Sequence, residues 1–101
     1  MRRFVVILII HEQQSPMSLA EIEAGQRRVR QLLGELDKDA RGTFLAPTAT
    51  EIYPFEVRLG AKSALLQFHA EELEELAHNG QVKAGIMVRL KGALDSLKRD
   101  P

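Results

Sequence analysis

The spacing of apolar positions changes several times along the chain, and each change predicts an element. Phe4, Val5, Val6, Ile7, Leu8, Ile9 and Ile10 run unbroken between Arg2-Arg3 and His11-Glu12. A run this short, rich in β-branched residues, is too short to span a bilayer and suits a central strand buried on both faces. From Leu19 the period changes. Leu19, Ile22, Val29, Leu32, Leu33, Leu36 and Ala40 recur at three- and four-residue steps and share one stripe of a helix. Ser18-Leu19-Ala20-Glu21 has the form of a capping box that opens this helix, with Met17 and Ile22 placed as a hydrophobic staple. Gly25 lies on the apolar stripe, where it permits close approach to a neighbour, and Gly42 is a natural stop.

Residues 43–50, with Pro47 among Thr and Ala, read as an irregular or edge strand. Over residues 52–59, Tyr53, Phe55, Val57 and Leu59 alternate with Pro54, Glu56 and Arg58, the period-two pattern of a half-buried strand. Residues 61–79 admit one long helix, but its apolar positions change phase near His69. The better reading is a turn at Gly60-Ala61-Lys62, a strand over 63–69 with Ala64, Leu66 and Phe68 inward, and a short helix over 70–78. Asn79-Gly80 then offers a left-handed C-cap. Residues 81–91 read as a last strand, with Val82, Ala84, Ile86, Val88 and Leu90 on one face and Lys83, Gly85, Met87, Arg89 and Lys91 on the other.

That order predicts an α+β fold, a ferredoxin-like βαββαβ sandwich in which two helices cover one face of a four-stranded antiparallel sheet. Residues 1–92 form the single domain, and 93–101 a short polar tail with at most one turn through Leu94 and Leu97. Composition changes this picture little. Lys plus Arg and Asp plus Glu number 14 each, so no net field steers the chain to nucleic acid or to an anionic membrane. The absence of cysteine removes disulfides, thiolate chemistry and Cys-ligated zinc. The basic start before the first apolar run invites comparison with a signal peptide, but the run is short, lacks a small-residue cleavage site and supplies the best strand. A cytoplasmic protein, with no membrane association, is the default expectation.

Candidate chemistry concentrates on the sheet face that the two helices leave open. Val5, Ile7 and Ile9 or their alternates, with Leu65 and Met87, form an apolar stripe rimmed by Arg3, Glu56, Arg58, Gln67, His69, Lys83 and Arg89. Such a patch is seldom left to water. A second copy packing sheet against sheet is the first expectation, giving a homodimer. A small apolar ligand anchored by His69, Arg58 or Arg89 is the alternative. His11 and Glu12 end the first strand, where either a functional pair or a solvated terminus fits; His78 sits where its charge would favour a helix C-terminus.

No histidine pair has metal-ligand spacing, so neither a metal nor another cofactor is expected. No Walker loop, nucleophile elbow or dinucleotide-binding glycine pattern occurs. Arg27, Arg28 and Arg30 stand among Glu21, Glu23, Glu35 and Asp37, and Glu71, Glu72, Glu74 and Glu75 cluster in turn; both sets read as solvated helix faces. RNA recognition needs aromatics exposed on the sheet, and with Tyr53, Phe55 and Phe68 assigned to the core only Phe4 is left for that role. The expected function is therefore a self-associating binding or structural module. The alternatives are a small-molecule enzyme of the dimeric α+β barrel type, by analogy of fold alone, and an RNA-binding domain.

Overall fold

A computed structural model describes residues 2–47 and 51–99, with side chains from residue 19 onward. The order is α1 (Arg2–Leu36), β1 (Ala40–Phe44), β2 (Ile52–Leu59), β3 (Lys62–His69), α2 (Ala70–Glu75) and α3 (Gly80–Arg99). The class is α+β, and the three strands form one antiparallel sheet in the order β1-β2-β3.

The alternation in β2 and β3 decides which side of the sheet is dry. Phe55 and Val57 from β2 and Phe68 from β3 are fully buried, and they pack with Val29, Leu32 and Leu33 of α1 and with Ile86 and Leu90 of α3. Phe55 sits at the centre of the aromatic group, with ring centroids 4.5 Å from Phe44 and 5.8 Å from Phe68. Gly60, at φ 65°, opens the two-residue turn that sets Leu59 against Lys62, and its left-handed backbone suits glycine. Gly25 is where α1 meets α2 most closely, because a Cβ there would lie 2.2 Å from the Leu73 carbonyl oxygen.

The predicted hairpin of β2 and β3 and the short helix after it are present, while the first and last strands of the four-stranded plan are helical. Residues 3–10 belong to α1, which runs on through Ser18 and Glu21, so the expected capping box lies inside a helix rather than at its start. A strand needs a neighbour to take its backbone hydrogen bonds; a helix satisfies its own, and a uniformly apolar run does not distinguish the two. Residues 81–91 belong to α3. Their period-two set contains Val88, which is 68% exposed, whereas the buried positions are Ile86, Leu90, Ala93, Leu94 and Leu97, at helical steps.

The helical period of α3 continues through residues 92–99, so the expected tail carries part of the core. Asn79 serves both helices without the expected left-handed backbone: its N–H closes the turn after α2 on the Glu75 carbonyl oxygen at 2.9 Å, and its Oδ1 accepts the N–H groups of Gln81 at 2.9 Å and Val82 at 3.3 Å, an N-cap for α3. Gly42 is likewise not a helix stop, since α1 ends at Leu36 and Gly42 pairs with Val57 inside the sheet. No helix among the described residues is long and apolar enough to cross a membrane.

Candidate functional site

With Phe55, Val57 and Phe68 turned inward, the alternate positions of the three strands form the opposite face. The register places Thr43, Glu56 and Leu65 in one row across the sheet and Arg41, Arg58 and Ser63 in the next. Pro54 is buried on this side and Glu56 half-buried, while the rest of both rows, together with Gln67 and His69, is exposed. Leu65 is 58% exposed, and Leu45, which follows β1, is 43% exposed. The face is thus apolar at points along its length and polar between them, with all three helices packed on the other side.

Its charges are arranged locally. Arg58 Nη2 lies 3.3 Å from Glu56 Oε2, two residues away on the same strand and therefore on the same face. Both groups touch water, so the pair contributes about 0–1 kcal/mol. Arg41 stands opposite Arg58, a like-charge cross-strand pair, but its guanidinium is drawn aside to donate to the carbonyl oxygens of Lys38 and Ala40, each at 3.1 Å.

The expected rim is only partly assembled. Glu56, Arg58, Leu65, Gln67 and His69 share the uncovered face, but Arg58 and His69 stand at opposite ends of the hairpin, about 20 Å apart along the strands. Arg89 and Met87 are not on the sheet. Both belong to α3, where Met87 is half-buried against the core. Arg89 acts as a tie: Nη1 meets Glu72 Oε2 at 2.7 Å, Nη2 donates to the Gln67 carbonyl oxygen, and the guanidinium stands 4.5 Å over the Phe68 ring. The same Glu72 carboxylate accepts the His69 backbone N–H through Oε1 at 2.9 Å. His69 therefore joins β3 to α2 through its backbone and leaves its side chain exposed. Ile7, His11 and Glu12 lie on the first part of α1, and their side chains fall outside the described residues.

Sequence reasoning missed a second feature. An open cleft of about 550 Å³ runs beside the end of β1, where Gln26 and Arg30 of α1 approach Thr43, Phe44 and Tyr53. Arg30 reads in the sequence as one charge of a solvated helix face, and nothing in its spacing signals that α1 lies beside the irregular segment after β1. Elsewhere, Asp37 holds a pKa below its ordinary 3.8, first because its carboxylate accepts the Asp39 backbone N–H and then through the Lys98 ammonium, 3.0 Å from Oδ2, against an opposing contribution from burial. That pair fastens the α1–β1 turn to the end of α3. Among the described residues no cluster of three or more His, Asp or Glu has the geometry to hold a metal ion. No family model, curated protein or solved structure matches the chain.

Proposed function

We propose that this chain is a small self-associating module for binding or scaffolding, with the uncovered face of β1, β2 and β3 as its working surface. The supporting observation is the exposure of Leu65 (58%) and Leu45 (43%) on a sheet face whose other side carries all three helices. Apolar side chains rimmed by Glu56, Arg58 and Gln67 gain from being covered, and the short exposed ion pair can re-form across an interface. Among the described residues the face holds no Phe, Tyr or Trp, so it lacks the paired stacking rings that RNA-binding sheets use.

Light scattering on a sizing column, across about a hundredfold range of concentration, tests this reading. An assembly of at least two 11.3 kDa chains is expected, and Leu65→Asp should weaken it while the melting temperature of the dilute protein stays unchanged. A wild-type protein that stays monomeric throughout would remove self-association.

A further inference from the structure

One edge of the sheet retains unused backbone groups, and its register shows which ones. The Leu45 N–H donates to the Pro54 carbonyl oxygen at 3.0 Å, which makes Leu45 and Pro54 a bonded pair of the β1–β2 ladder. Bonded and non-bonded pairs alternate along an antiparallel ladder. Thr43–Glu56 and Arg41–Arg58 are therefore bonded pairs, while Phe44–Phe55 and Gly42–Val57 are not. The N–H and C=O groups of Gly42 and Phe44 consequently point away from β2, and among the described residues they take no partner. Ala40 differs, because its N–H already donates to the Asp37 carbonyl oxygen at 3.1 Å.

The far edge of the sheet is treated otherwise. There the Gln67 carbonyl oxygen is taken by Arg89 and the His69 N–H by Glu72, so side chains close that end of β3. Side chains thus occupy the His69 end of β3, whereas on β1 the free groups of Gly42 and Phe44 face outward with no side chain of the described residues upon them, which favours strand pairing at β1.

We propose that β1 pairs antiparallel with β1 of a second copy, joining two three-stranded sheets into one of six strands. A two-fold axis at Thr43 sets Gly42 opposite Phe44 of the second copy and uses both free donors and both free acceptors of each chain. An axis at Gly42 would instead oppose Phe44 to Ala40, whose N–H is committed. With the axis at Thr43 the uncovered face matches itself: threonine meets threonine, and Arg41 meets Leu45, so no like charges are opposed. The cleft between α1 and the end of β1 leaves space beside that edge. The inference rests on the self-association reading and gives it a specific contact, distinct from the face carrying Leu65.

Thr43→Cys tests the contact directly, because the natural chain has no cysteine and Thr43 is exposed. A residue facing its own copy in a non-bonded pair brings the two Cα atoms to roughly 4.5 Å, within disulfide range. Mild oxidation of dilute Thr43→Cys protein is expected to give a covalent dimer, with Leu65→Cys on the uncovered face as the comparison. Thr43→Asp, which opposes two carboxylates at the axis, should weaken the wild-type association about tenfold without lowering the melting temperature.

Failure of Thr43→Cys to cross-link, in a protein that scattering shows to be dimeric, would overturn edge pairing. So would a Thr43→Asp dimer as tight as wild type. If Leu65→Asp then dissociated that dimer, face-to-face assembly would stand alone. A monomeric wild type would end both readings together.

Discussion

The two long helices lie against the same side of one sheet, yet they are fastened to it in different ways. α1 is seated by the absence of side chains: Gly25 brings it onto the backbone of Leu73, and Gly42 leaves room for the Phe55 ring and for Leu33 beneath it. α3 is seated by long polar arms as well as by its core residues. Arg89 reaches across to β3 and α2, and Lys98 reaches Asp37 at 3.0 Å. Close packing of backbones leaves nothing to spare for a strand edge, whereas arms that project from a helix can cap one. The fastening of α3 therefore also closes part of the β3 edge, and that of α1 leaves β1 free.

The sharpest way to break this contrast is at Gly25. Alanine there gains about 1 kcal/mol of helix propensity. Its Cβ, however, would meet the oxygen, carbon and Cα of Leu73 at 2.2, 2.7 and 2.9 Å, all of them backbone atoms that cannot rotate away. A net loss of roughly 2–3 kcal/mol is expected, read as a lower urea midpoint. A Gly25→Ala protein as stable as wild type would show that α1 is held by its apolar stripe alone and that the close approach is dispensable.

Arg89→Ala addresses the other fastening and should cost less, about 1–2 kcal/mol, because Glu72 and the Gln67 carbonyl can turn to water once the guanidinium is gone. Arg89→Lys should recover only part of that loss, since an ammonium cannot serve the carboxylate, the carbonyl and the Phe68 ring together. A second consequence separates a tie from a cap. If Arg89 closes the β3 edge, its removal should add a concentration-dependent species larger than the wild-type assembly in light scattering. Loss of stability with no change in assembly would confine Arg89 to holding α3.

How much of this was legible in the sequence depends on whether a pattern was local. The β2–β3 hairpin was readable because Tyr53, Phe55, Val57 and Leu59 alternate strictly and Gly60 marks the turn, both of which are fixed within a few residues. The two faces of the sheet followed, including Glu56, Arg58 and Leu65 on the uncovered one. Residues 81–91 misled because alternate and helical steps coincide at Val82, Ile86 and Leu90. Only Ala93, Leu94 and Leu97, set aside as tail, break the tie. Arg89 was placed on the sheet as a consequence, although its spacing from Glu72 and Gln67 carries no local signal for a contact between elements. The β1 edge was the least legible feature, since which backbone groups are free depends on a register that no side chain spells out.

The smallest expected effect concerns the tie between the α1–β1 turn and the end of α3. The Asp37 carboxylate accepts the Asp39 N–H and faces Lys98, and both favour its charged form in the folded chain. With its folded pKa depressed, Asp37 contributes stability that is fully present above its ordinary 3.8 and is lost as pH falls through the lowered value. Lys98→Ala removes the second cause but not the first. The Asp37 carboxyl should therefore titrate at a higher pH than in wild type yet still below 3.8, as followed by the NMR shift of its side-chain carbon. The melting temperatures of the two proteins should differ slightly near neutrality and converge in acid, where the wild-type carboxylate is also protonated. A Lys98→Ala titration identical to wild type would mean that the Asp39 N–H alone sets the pKa, leaving Arg89 as the polar arm that matters for α3.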